Sequence, residues 1–163
     1  MEARRLLIDL PVRNEWSNIE LVRTAILNCF AAVFNDLDSC RTVATVISEL
    51  LENAIKYGDW DNKSGHLLHL AITGEEQRVT VSVEHPVNVK SEDVARLQKT
   101  LAWLATFSRP EEAYRARLNQ FAEAPPELGI SRLGLVRIAY EGNCVLLAEL
   151  KGETLRVSAE MAQ

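Results

Sequence analysis

Between Arg78 and Val87 the chain alternates: Val79, Val81 and Val83 fall on one side, Thr80, Ser82 and Glu84 on the other. A period of two over that length is a β-strand with one apolar and one polar face. Leu67 to Thr73 reads as its partner, joined through Gly74-Glu75-Glu76-Gln77 as a hairpin. A second hairpin runs from Asn143 to Leu150 and from Thr154 to Glu160, turning at Lys151-Gly152-Glu153. Arg4 to Val12 is a further strand, with Leu6, Ile8 and Leu10 alternating against Leu7 and Asp9. Hairpin joins imply a mostly antiparallel sheet, in places mixed, with helices packed on one face.

Elsewhere the period is helical. Ser17 and Glu20 form a capping box, Trp16 and Leu21 a hydrophobic staple, and Leu21, Ala25, Cys29 and Ala32 carry a stripe to about Phe34, with Val22, Ile26 and Phe30 beside it. Asn35 to Ser39 reads as a loop. A second helix spans about Arg41 to Tyr57, stopped by Gly58, with its apolar stripe at Val43, Val46, Ile47, Leu50, Leu51 and Ala54. Ser91 opens a third helix with a seam of Val94, Leu97, Leu101 and Leu104. Ser108 and Glu111 form another capping box, and their helix carries Tyr114, Leu118 and Phe121 before Pro125-Pro126. Gly129 to Gly134 is a glycine-bearing loop, and Leu135 to Tyr140 is a short helix ended by Gly142. The order is β-α-α-β-β-α-α-α-β-β: an α+β two-layer sandwich, a single domain over residues 1–163.

Acidic residues outnumber basic ones, 23 to 18, for a net charge of −5. That argues against nucleic acid as partner, because phosphate backbones need a basic footprint. No stretch is expected to reach membrane-span length, and the N-terminus makes a poor signal peptide, so no membrane insertion and a cytoplasmic location are expected. Cys29, Cys40 and Cys144 are expected to be reduced core thiols. His66, His69 and His85 lack zinc-ligand spacing. Arg109, Arg115, Arg117 and Arg132 read as solvated surface, and Trp16, Trp60 and Trp103 as staple, loop and core residues.

The second helix holds the chemistry. Glu49, Asn53 and Lys56 stand at i, i+4 and i+7, one stripe beside the apolar face. A carboxylate takes a proton, an amide oxygen binds a hard cation such as Mg²⁺, and a lysine neutralises phosphate. The same spacing equally describes a solvated helix edge with i,i+4 support.

The run Ile47-Ser48-Glu49-Leu50-Leu51-Glu52-Asn53-Ala54-Ile55-Lys56-Tyr57-Gly58 resembles the N-box of the GHKL, or histidine-kinase-like, ATPase superfamily. It is especially similar to that of the bacterial anti-sigma-factor serine kinases, written E-x-x-x-N-A-x-K-H/Y. The segment Leu128 to Ile138 resembles that family's second glycine box. The resemblance implies a Bergerat-type fold that binds ATP and Mg²⁺. Asn53 would hold the metal, Glu49 would be the general base, Lys56 would approach the phosphates, and Gly129, Gly134 and Leu135 would shape the phosphate loop. It also implies a partner-switching regulator acting on an anti-anti-sigma-like or sigma-factor-like protein, and a homodimer.

The sequence departs from the pattern on the nucleotide side. Where the family writes D-x-G-x-G this chain has Val83-Glu84-His85-Pro86-Val87-Asn88, with no Asp or Gly and with His85 the closer positional match to the aspartate; the middle glycine of the second box is missing, and a capped helix, Pro110 to Ala122, stands where a lid belongs. Two readings follow: a nucleotide-binding regulator, a protein serine kinase or anti-sigma-like switch, although the missing box argues against strong activity, and a catalytically inactive protein–protein interaction module that has lost nucleotide binding. A third is a pocket remodelled for another small ligand.

Overall fold

The computed structural model describes residues 4–34, 36–61, 67–123 and 133–162. The elements are β1 (Arg5–Val12), α1 (Ser17–Phe34), α2 (Leu37–Tyr57), β2 (Leu68–Glu75), β3 (Arg78–Pro86), α3 (Glu92–Leu104), α4 (Pro110–Glu123), α5 (Gly134–Glu141), β4 (Cys144–Lys151) and β5 (Thr154–Ala162). The strands form one sheet in the order β1-β2-β3-β5-β4. Every neighbouring pair is antiparallel, so no mixed pairing occurs among the described residues.

The register explains the two layers. One row crosses all five strands as Ile8, Ile72, Val81, Ala159 and Leu146, and it faces the helices. The adjacent row, Asp9, Ala71, Ser82, Ser158 and Leu147, faces away. The period of two in β3 thus sorts Val79, Val81 and Val83 into the core and Thr80, Ser82 and Glu84 outward. On the outer face Arg156 donates to Glu84 Oε2 from Nη2 at 2.7 Å and from Nε at 3.0 Å.

α2 lies on the inner face. Its stripe, from Val43 through Val46, Ile47, Leu50 and Leu51 to Ala54, is almost wholly excluded from solvent. It starts earlier than its periodicity suggested, because Asp36 is the cap: its Oδ1 accepts from the Asp38 and Ser39 amides at 3.1 and 3.3 Å. Much of the segment read as a loop is therefore the first turn of α2. At the far end the Gly58 amide donates to Ala54 O at 3.0 Å, and Trp60 Nε1 donates to Ile55 O at 3.0 Å. Trp60 thus caps α2, and a Cβ at Gly58 would stand 2.4 Å from its ring nitrogen.

α1 corrects several expectations. Its buried residues are Ile19, Ile26 and Phe30, while Leu21, Ala25, Cys29 and Ala32 face outward. The helix is apolar almost all round, so periodicity alone does not choose the face. Trp16 and Leu21 are 57 % and 69 % exposed rather than stapled, and Glu20 accepts from Arg23 and Thr24 instead of closing a capping box. With 18 residues and a mean hydropathy of 1.2, α1 is by length and composition long and apolar enough to cross a membrane, contrary to expectation. In this fold it packs along α2. Cys29 is exposed, whereas Cys40 and Cys144 are buried as expected, and burial pushes the Cys144 thiol up to about 12.

Phe30 pins α1 to the sheet through a close approach at Gly74, where a Cβ would meet the Phe30 and Phe34 rings at 3.2 Å. Replacing Phe30, which is 1 % exposed, by alanine should lower the unfolding free energy by about 3–5 kcal/mol. Urea unfolding followed by circular dichroism measures this, and a loss below about 1 kcal/mol would show that α1 does not depend on that contact.

Candidate functional site

A cavity of about 480 Å³ opens between α2, the inner sheet face and the α3–α4 pair. That is within the range of small-molecule sites. Its floor is apolar, built from Leu50 and Ala54 of α2, Val83 of β3 and Val157 of β5. The start of α5 closes one end with Gly134 and Leu135.

Asn53 reaches this cavity from α2, and a methyl group at Gly134 would stand 3.7 Å from its Oδ1. The Asn53 Nδ2 is buried and has no hydrogen-bond partner among the described residues. An unmet donor in an interior costs free energy, and an acceptor placed in the cavity would relieve that cost. Two stretches distant in sequence, the N-box-like helix and the second glycine segment, therefore meet at Asn53 and Gly134. Gly129 lies outside the described residues, as do Arg132 and His66.

Glu49 sits one turn before Asn53 and does not line the cavity. Its Oε1 accepts from Arg137 Nη2 of α5, with the Glu49 side chain 17 % exposed. Lys56 is exposed: its Nζ stands 5.1 Å from the centre of the Tyr57 ring, and Lys56 does not line the cavity either. Of the expected stripe, Asn53 alone faces the cavity, because a 21-residue amphipathic helix shares its rim between the cavity and α5.

His85 occupies the place where the resemblance expects an aspartate. It lies on the buried face of β3, 5 % exposed, and lines the cavity. Its Nδ1 is 3.1 Å from Pro86 O, and since a carbonyl only accepts, Nδ1 is the protonated nitrogen. Burial lowers the His85 pKa, the bond to Pro86 O opposing it in part, so the ring is neutral.

Cations line the cavity from its helical side. Asp93, Arg96, Lys99 and Trp103 come from α3, and Arg117 from α4. The Arg117 guanidinium stacks on the Trp103 ring at 4.2 Å. This corrects the reading of Arg117 as plain surface, whereas Arg109 and Arg115 do pair outside the cavity with Glu112 and Glu111. With Glu111 so engaged by Arg115, the start of α4 has no capping box among the described residues. The Ser91 cap of α3 is present, its Oγ accepting from the Val94 amide at 3.3 Å. The cationic set escaped sequence reading, although its signal was there. Asp93, Arg96, Lys99 or Thr100, and Trp103 recur every three or four residues beside the Val94–Leu97 seam. Arg137 left no such signal, being 88 residues from Glu49.

No family model matches the chain, and no curated protein matches it. Among solved structures it is similar to a chain of the SiaB–SiaC complex from Pseudomonas aeruginosa, with a TM-score of 0.67 and 22 % identity over 97 % of this chain and 89 % of that one. What the two share is the fold.

Two outcomes follow from the site's electrostatics. The fold holds His85 neutral, so its contribution to stability is complete above the unfolded value of 6.5. As pH falls through 6.5 the unfolded chain takes up a proton that the folded chain refuses, and stability drops until the lowered folded pKa is reached. Between about pH 7.5 and about pH 5 the native protein should lose more stability than its His85→Gln variant. Equal slopes in thermal melts would remove His85 as the cause. For Glu49 and Arg137, a double-mutant cycle to alanine should give a coupling of about 1 kcal/mol, the upper end for partly exposed pairs. Additive losses would mean that the pair contributes nothing to the fold.

Proposed function

We propose that this chain is a signalling regulator of the anti-sigma, serine-kinase-like type, which binds a nucleoside triphosphate with Mg²⁺ in the cavity beside α2 and acts on a partner protein by partner switching. The observation that carries the reading is the buried Asn53 Nδ2, a donor unpartnered among the described residues, at the edge of an apolar cavity of about 480 Å³. The donor chemistry fits the group: Mg²⁺ keeps most of its waters and takes its remaining ligands from phosphates and one or two protein oxygens. Asn53 offers such an oxygen, Leu135 and the α2 stripe exclude water from one side, and the apolar floor suits a flat base. When bound, Mg-ATP supplies a transferable phosphoryl group and a concentrated negative charge. The likeness to a chain crystallised in a two-protein complex supports a protein partner. Unbridged cysteines suit a cytoplasmic setting, and β1, as an edge strand, offers a route to a homodimer.

The second reading is an inactive interaction module of the same fold. The Glu49–Arg137 pair favours it, because a carboxylate engaged by a guanidinium is a weaker proton acceptor. The absence of a carboxylate at His85 points the same way.

Titration calorimetry with ATP, with and without Mg²⁺, separates the two. Magnesium-dependent binding that weakens at least about tenfold in Asn53→Ala is the expected result. Absence of binding at millimolar ATP by the native protein would leave the interaction module as the function.

A further inference from the structure

α5 lies along α2 in the reverse direction, and three contacts mark the alignment. At one end a Cβ on Gly134 would stand 3.7 Å from Asn53 Oδ1. At the other a Cβ on Gly142 would stand 2.7 Å from Val46 Cγ2. Between them Arg137 Nη2 donates to Glu49 Oε1. Both end contacts are made by glycines, which carry no side chain to interlock. Val136, Ile138 and Ala139 bury α5 against its neighbours, but apolar burial is non-directional. The first turn is not fixed by a cap either, since Leu133 at the N-cap makes no side-chain bond. Among the described residues the Glu49–Arg137 pair is thus the one polar side-chain tie between α5 and α2. Arg137 Nε is buried and has no acceptor among those residues, so Glu49 is what fixes the guanidinium. The tie itself stands outside the cavity, yet Gly134 and Leu135, on the turn just before Arg137, line it.

We propose that Glu49 and Arg137 are positioning residues of the ligand site: their pair holds the start of α5 against Asn53 and so sets the end wall of the cavity. This rests on the nucleotide reading of that cavity, and it gives Glu49 a different task from the one the resemblance assigns. Glu49 anchors α5 rather than meeting the ligand. A charge-assisted hydrogen bond is directional, so it limits how far α5 slides along α2, which burial leaves open. With a rise of 1.5 Å per residue, Gly134 lies about 4.5 Å along the helix from Arg137, and the anchored turn and the lining turn move together.

The test combines hydrogen exchange on the ligand-free full chain with titration calorimetry against Mg-ATP. Glu49→Ala and Arg137→Met should each speed exchange of the amides from Ile138 to Glu141 about fivefold, and the double variant should exchange no faster than either. The same two variants should each weaken Mg-ATP about fivefold, again with no further loss in the double variant. Glu49→Gln keeps an oxygen that accepts from Arg137, and it should recover to within about twofold of the native affinity. Thermal melts verify that every variant is folded at the titration temperature, so a loss of stability by itself leaves affinity untouched. Unchanged α5 exchange in either single variant overturns the assignment. Losses of affinity that multiply in the double variant overturn it as well, and so does a Glu49→Gln as weak as Glu49→Ala, because Glu49 would then act on the ligand by itself. Native affinity in both single variants despite faster α5 exchange also overturns it, since the start of α5 would then not shape the site. Failure of the native protein to bind Mg-ATP is a different result: it overturns the nucleotide reading, and the exchange rates still decide whether the pair holds α5 in place.

Discussion

The packing of the α2 stripe against the inner face of the sheet is the contact on which the rest of the molecule depends. Ile47 and Leu51 are fully excluded from solvent, and so are Leu70, Ile72, Val79 and Val81 beneath them. Burial of side chains of this size is worth roughly 1.5–3 kcal/mol each, which outweighs any capping or ion-pair term in the structure. Fixing α2 on that face fixes its rim as well. The helix turns once every 3.6 residues, so once Leu50 and Ala54 are seated, Asn53 must come to the cavity and Glu49 must come to α5. The site's geometry is a by-product of core packing.

The same constraint makes the two sides of the cavity unequal. The floor belongs to the hydrophobic core and is as rigid as close packing makes it. The wall, α3 and α4, is held by side contacts: Trp103 against Phe107 at 4.7 Å, Arg117 over Trp103, and Tyr114 stacked on Tyr140 of α5 at 4.5 Å. A helical pair attached by aromatic edges adjusts more readily than one sunk in a core. Ligand affinity and wall position are coupled wherever a ligand meets both sides.

Alternation and helical period were legible in the sequence wherever one face only was apolar. β3 and α2 were read with the correct inner residues for that reason. α1 was not, since both of its candidate faces are apolar and only the fit of Phe30 over Gly74 selects one. Capping signals divided similarly. The Ser91 cap was legible and is made, while Glu20 and Glu111 found closer cationic or hydroxyl partners on their own helices. Of the site, Asn53, Gly134 and Leu135 were legible through the resemblance of two short segments. Glu49's pairing with Arg137 and the cavity role of Arg117 were not, because both join side chains from elements far apart in the chain.

By itself, the sequence determined the order of strands and helices, the antiparallel character of the sheet, and the helix that carries Asn53. These are local matters, set by side-chain periodicity and turn chemistry over a few residues at a time. Tertiary structure alone decided which face of α1 is buried, which member of the Glu49, Asn53 and Lys56 stripe meets the cavity, and which cations surround it. Those choices depend on how elements cross one another in space, and a crossing angle has no signature in a run of adjacent residues.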